Sequence, residues 1–157
     1  MGTLTLNITL APVSVDPAHP DGIHYSMTAV PGPYAGALKS ADGNLDFSGF
    51  PDTEVDIDFD IATTSLSYPT GQNSPAVSVT WPSIPSDGIT VRLGPNRPVA
   101  GAGEFVCSSN SPTSLKVADA DNDGKEYYYA LNFVLGTSPT PTQVSYDPEI
   151  QNHPSGD

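Results

Sequence analysis

The stretch that decides the fold is EYYYALNFVL, residues Glu126–Leu135. Every second position carries a large apolar side chain: Tyr127, Tyr129, Leu131, Phe133 and Leu135. Because successive side chains of a β-strand point to opposite faces, this spacing places all five on one face of a single strand. The alternation predicts a long strand with one face in the core.

The same period-two alternation recurs along most of the chain, and turn dipeptides such as Asp42-Gly43 and Asp87-Gly88 separate the apolar runs. No segment has a helical stripe, so each sheet must cover its apolar face with another sheet. We therefore predict an all-β fold, an antiparallel two-sheet sandwich of the immunoglobulin-like kind, with a small β-barrel as the alternative. A chain of 157 residues favours one domain over residues 1–157. The predicted strands include Leu4–Leu10, Ile23–Ala29, Val55–Ile61, Val77–Trp81, Ile89–Leu93, Leu115–Val117 and Val144–Tyr146, with shorter candidates at Leu45–Ser48 and Phe105–Ser108.

The net charge of −13 argues against two kinds of partner, nucleic acid and membrane. A field of that sign repels phosphate backbones and anionic lipid surfaces, so we expect neither nucleic acid nor membrane as a partner. The only cysteine, Cys107, cannot form an internal disulfide, and the first residues lack the pattern of a secretion signal. We predict a cytoplasmic protein.

The aspartate-rich turn before Glu126 is the candidate cation site. Asp119, Asp121, Asp123 and Gly124 match the first half of a calcium loop, in which oxygens at alternate positions converge on one ion. The twelfth position, where such a loop has a bidentate glutamate, is Ala130. Calcium is therefore the one cofactor that the sequence suggests, and an ordinary hairpin turn with surface aspartates is the alternative.

A second acidic cluster, Asp56, Asp58 and Asp60, alternates with apolar residues in the strand Val55–Ile61. Its three carboxylates share one face, about 6.6 Å apart along the strand. Close packing would raise their pKa values, as an acid/base pair of a hydrolase requires. The alternative is a solvated face that opposes aggregation.

Two further side chains are candidates for contact or chemistry. Tyr128 points away from the apolar face of its strand, so it is the aromatic residue that we expect at the surface. Cys107 has no histidine and methionine at blue-copper spacing after it, and a buried inert thiol is its expected state.

The C-terminal part of the chain contains two motifs, YYYALNF at Tyr127–Phe133 and YDPEIQN at Tyr146–Asn152. With these motifs it resembles the bacterial DP-EP family of small β-sandwich proteins, whose biochemical role is unassigned. The resemblance implies a β-sandwich and a bacterial origin, and it supplies no catalytic residues. Within the second motif, Asp147 and Pro148 are typical of a turn, and nearby oxygens can cap it. The residues of this structural motif are Asp147, Pro148, Glu149 and Asn152.

No nucleophile elbow, phosphate loop, dinucleotide fingerprint or zinc-protease motif is present in the sequence. The biochemical role is therefore open. We predict a non-enzymatic binding or self-assembly module, acting as a homo-oligomer or with a protein partner. A calcium-dependent binding module is the first alternative, and a carboxylate-based hydrolase is the second.

Overall fold

The computed structural model describes residues 2–12, 23–51, 54–66, 76–92, 105–120, 126–136, 142–144 and 149–151. Over these ranges the chain is β-structure with two short 3-10 helices, Ala35–Ala37 and Pro85–Gly88. None of the described helices has the length and apolar character needed to cross a membrane. The strands are β1 Gly2–Pro12, β2 Ile23–Ala29, β3 Leu45–Asp46, β4 Val55–Ile61, β5 Ser65–Leu66, β6 Val77–Thr80, β7 Ile89–Arg92, β8 Phe105–Ser111, β9 Ser114–Asp119, β10 Glu126–Leu135, β11 Thr142–Val144 and β12 Glu149–Gln151.

The strands form two sheets, as the alternation predicted. The first sheet has five strands in the order β2-β1-β4-β9-β8. The second has seven, and β10 is its central strand. The all-β, two-sheet prediction is confirmed.

Strand direction differs from the prediction in two places. β1 and β4 pair in parallel, with Leu6 opposite Phe59, and β12 and β3 also pair in parallel. The other pairs are antiparallel. Alternation shows which side chains of a strand share a face, and the pattern is the same in parallel and antiparallel pairs. It could therefore not predict the parallel pairs.

The second sheet is assembled on the backbone of β10. Glu126–Tyr128 pairs with β12, Tyr128–Leu131 with β7, Leu131–Phe133 with β11, and Val134–Leu135 with β6. Because Tyr128 is opposite residues of both β12 and β7, these two strands lie on opposite sides of β10. A strand of ten residues therefore serves as the common partner of four shorter ones.

The core lies between the two sheets and contains the inward faces of β4 and β10. Burial along β4 alternates strictly, with the four apolar residues buried and the three aspartates partly exposed. The rings of Phe59 and Tyr129 meet across the core with centroids 5.8 Å apart. Trp81 stacks on Phe133 at 4.9 Å, and its indole N–H donates a hydrogen bond of 3.1 Å to the carbonyl of Phe59. Both sheets are thus joined by ring contacts and by one buried polar bond.

A buried hydroxyl fixes the turn before β3 to the core. The Tyr129 hydroxyl donates a hydrogen bond of 2.5 Å to the carbonyl oxygen of Gly43. Gly43 has φ of 101°, a conformation that side-chain-bearing residues rarely adopt. Burial raises the pKa of Tyr129 well above its usual range, so the hydroxyl keeps the proton that it donates.

We expect Tyr129→Phe to lower the free energy of unfolding by about 1 to 3 kcal/mol, because the Gly43 carbonyl then loses its buried donor. Denaturant unfolding followed by circular dichroism measures the change. Tyr128→Phe, on the same strand and the opposite face, is the matched control and should cost less. Equal losses for the two variants would contradict the assigned role of the Tyr129 hydroxyl.

Candidate functional site

The three aspartates of β4 lie on the outer face of the first sheet, in its middle strand. Each has one polar neighbour on β1, where Asp56, Asp58 and Asp60 are opposite Thr3, Thr5 and Asn7. On the other side, β9 places Lys116 opposite Asp58 and Ser114 opposite Asp60. The prediction that these carboxylates share one face is confirmed, and the face is outward.

The three carboxylates differ in their contacts. Asp60 accepts a hydrogen bond of 2.6 Å from the Ser114 hydroxyl. Asp56 is 3.8 Å from the Lys116 ammonium, a partly exposed ion pair. Asp58, between them, has a buried Oδ1 that accepts no hydrogen bond from any described residue.

The environment of Asp58 raises the pKa of its carboxyl above the ordinary value of 3.8. Burial is the largest cause, Lys116 opposes it, and the negative charges of Asp60 and Asp56 add to it. A raised carboxyl pKa is one property of a general acid, but an acid/base pair must also reach a bound substrate. The groove described below is lined by none of the three aspartates. The hydrolase alternative stays a hypothesis.

The aspartate-rich turn is only partly described. Asp119 is the last residue of β9, and its side chain is 0% exposed. It lies on the same face as Leu115 and Val117, toward the core. Asp121, Asp123 and Gly124 lie outside the described residues. Within the described part of the chain no three metal-binding side chains come together, so the calcium site stays a prediction.

The C-terminal motif is also described in part. Glu149 begins β12, a three-residue strand that lies between β10 and β3, and Ile150 is fully buried. Asp147, Pro148 and Asn152 lie outside the described residues. Where the sequence suggested only the end of a strand, Glu149–Gln151 is itself a strand of the second sheet.

Tyr128 lies on the outer face of the second sheet, as predicted, and is partly exposed. Its cross-strand neighbours are Arg92 on β7 and Glu149 on β12. A single partly exposed ring is not a binding platform by itself.

A groove of about 630 Å³ is lined by the end of β6 and the segment that leads into the 3-10 helix Pro85–Gly88, together with residues of β8 and β10. Its floor includes the buried Trp81, and its rim includes Ile84, which is 58% exposed. Polar side chains contribute hydroxyls and one carboxylate. The lining residues from β8 and the turn after it are Ser109, Ser111 and Pro112. The groove therefore adjoins the edge of the first sheet.

β8 is that edge strand, and its hydrogen bonds can be assigned from the register. The Ile61 amide donates to the Thr113 carbonyl at 2.8 Å, so the odd-numbered residues of β9 bond to β4 and the even-numbered ones to β8. The register places Val106 opposite Ala118 and Ser108 opposite Lys116. The amide and carbonyl groups of the odd-numbered residues of β8 therefore point away from the sheet.

Those outward groups have no strand beside them in the described part of the chain. The opposite edge differs, because the Met27 amide of β2 donates a hydrogen bond of 2.7 Å to the Ala41 carbonyl. Sequence reasoning identified Phe105–Ser108 as a short strand but did not single it out. The signal that could have found it is its composition, FVCSSNS, which has neither charge nor proline.

No protein-family model matches the chain, and no curated protein matches it. The chain is similar to the crystal structure of an inclusion body protein, PixA, from Burkholderia cenocepacia. The two share 11% identity over 97% of each chain, with a TM-score of 0.36. A likeness of this degree carries no argument, and the resemblance to the DP-EP family stays a prediction.

The raised pKa of Asp58 predicts a pH-dependent cost to stability. The folded chain holds this proton more tightly than the unfolded chain, so stability falls as the pH rises from 3.8 through the folded pKa. Asp58→Asn removes this decline and should raise the free energy of unfolding at neutral pH, by less than about 1 kcal/mol because water screens the row.

Denaturant unfolding at a series of pH values measures this effect. Glu54→Gln is the matched control, since it removes one negative charge from an exposed position beside the same strand. If both variants follow the same pH profile, the change in total charge accounts for the effect and Asp58 has no special role.

Proposed function

We propose that this protein is a non-enzymatic self-assembly module that associates through the exposed edge of β8. An added strand would extend the first sheet by bonding to the outward amides and carbonyls of β8, the mode known as β-augmentation. The proposed location is the cytoplasm, because a chain with a single cysteine gains no internal disulfide from an oxidising compartment.

The observation that carries the proposal is an uncharged edge on a strongly acidic chain. Monomeric proteins protect a sheet edge with lysine, proline, inward charges or a bulge. β8 has no charge and no proline over seven residues. Its one irregularity is a shift of register between Ser109 and Ser111, which leaves Phe105–Ser109 regular. No described strand pairs with the outer side of this regular part, which can therefore serve as a template for a further strand.

An exposed apolar side chain on this strand supports the same conclusion. Val106 points to the outer face of the sheet and is 58% exposed. A strand added beside β8 would cover part of that surface, and removing apolar surface from water favours association. Burial of Val106 and the formation of backbone hydrogen bonds therefore act together.

The charge of the chain does not prevent contact at this edge. The aspartates of β4 lie two strands in from β8, so in two copies joined at β8 the rows are five strand spacings apart, about 24 Å. Screening at physiological salt acts over about 8 Å, so repulsion between the rows is weak. Lys116 of β9 lies between each row and the contact.

Ser108→Glu tests the proposal, because it adds a charge to the outer face of β8, directly beside the position of an added strand. We expect the wild-type chain to associate with rising concentration in sedimentation velocity, and Ser108→Glu to shift it toward the monomer. Ser26→Glu is the matched control: it makes the same substitution at an exposed residue of β2, the opposite edge strand of the same sheet.

Circular dichroism and thermal unfolding establish that both variants keep the native fold. A wild-type chain that stays monomeric at every concentration would contradict the proposal. So would equal weakening by Ser26→Glu, since association would then depend on total charge and not on β8.

A further inference from the structure

We infer that the strand added to β8 is β8 of a second copy, paired antiparallel about a two-fold axis at Cys107. The inference rests on the proposed function and names its partner and register. It assigns a defined place in the assembly to a residue that otherwise has only a packing role.

The inward and outward faces of the sheet restrict the register. Phe105 and Cys107 pack against the core cluster, whereas Val106 points outward. A continuous sheet keeps these faces aligned, so inward residues must be opposite inward residues of the partner. If a two-fold axis relates the two β8 strands, this condition requires that one residue of β8 lies opposite its own copy. It excludes an axis that passes between two consecutive residues.

The regular part of β8 selects which residue lies on the axis. An axis at Cys107 pairs Phe105 with the partner's Ser109, and Val106 with the partner's Ser108. This uses the whole regular stretch Phe105–Ser109 of both copies. An axis at Val106 extends the pairing to residues before β8, and an axis at Ser108 extends it into the irregular part beyond Ser109. The axis at Cys107 keeps the most regular pairs.

The direction of the backbone groups agrees with this register. Odd-numbered residues of β8 present their amides and carbonyls outward, and the axis at Cys107 places odd-numbered residues opposite one another. Such pairs exchange both hydrogen bonds, which amounts to roughly six bonds along the contact. The same surface is used on both copies, so the assembly closes as a dimer and extends no further through this edge.

The register predicts specific distances between side chains. The two Cys107 residues form a hydrogen-bonded pair with Cα atoms about 5.5 Å apart, and their Cβ atoms are then further apart than the roughly 3.5 to 4.5 Å that an unstrained disulfide needs. Val106 and the partner's Ser108 form a closer pair, at about 4.5 Å. Two Val106 residues face each other only diagonally and are further apart.

Cysteine cross-linking tests this register directly. Copper(II) phenanthroline is the oxidant: two thiols release two protons and pass two electrons to two copper(II) ions, and the sulfurs join. Burial raises the pKa of Cys107, so the oxidation is run at alkaline pH, where more thiolate is present. We expect the wild-type chain to form a covalent dimer on non-reducing gels in lower yield than a pair of cysteines at positions 106 and 108, which are closer across the contact, and Cys107→Ser to give none.

Variants in the Cys107→Ser background distinguish the alternative registers. Val106→Cys alone and Ser108→Cys alone should cross-link little, whereas the double variant Val106→Cys/Ser108→Cys should cross-link strongly. Val106 and Ser108 are the neighbours of Cys107 in sequence, and both side chains are exposed on the outer face of the sheet. The substitutions therefore leave the core intact. Efficient cross-linking by Val106→Cys alone would overturn the register in favour of an axis at Val106. The same result for Ser108→Cys alone would favour an axis at Ser108.

The failure of this inference and that of the proposed function are distinguishable. If the chain associates and Ser108→Glu weakens the association, but the double variant Val106→Cys/Ser108→Cys forms no cross-link, the proposed function stands and only the two-fold register is wrong. A chain that stays monomeric in sedimentation and forms no disulfide loses both.

Discussion

The second sheet depends on one backbone, that of β10. Four strands of two to four paired residues bond to successive parts of it, and none of them is long enough to form a stable sheet alone. The aromatic face of β10 packs in the core, where Tyr129 contacts Phe59 and Phe133 stacks on Trp81. Hydrogen bonding in the plane of the sheet and ring packing perpendicular to it thus both converge on this strand.

In the first sheet, the acidic side chains and the uncharged edge belong to different strands. Its middle strand, β4, places three aspartates on the outer face, while its edge strand β8 has no charge. Because repulsion between carboxylates declines over about 8 Å at physiological salt, an acidic centre two strands away exerts little repulsion at this edge. The protein thus combines a net charge of −13 with an uncharged edge strand.

Much of the fold could be predicted from local pattern. Val55–Ile61 is a strand with the predicted faces, and four of the five apolar positions singled out in Glu126–Leu135 are buried in the core, while Leu135 is partly buried against it. The parallel pairing of β1 with β4 could not be predicted, because partner and direction depend on contacts between distant residues. The site was predicted less well: the aspartates of β4 share the expected face, but the groove and the edge were missed, since residues far apart in sequence form both.

By itself, the sequence determined which side chains share a face in the long strands, because a period of two is a property of the extended backbone. It also determined the excess of negative charge. Only the tertiary structure decided which strands are central and which are edges. That order gives Glu126–Leu135 four partners and leaves the outward amides of β8 without a strand among the described residues. Hydrogen-bond partners in a sheet come from other parts of the chain, so their presence or absence is a property of the whole fold.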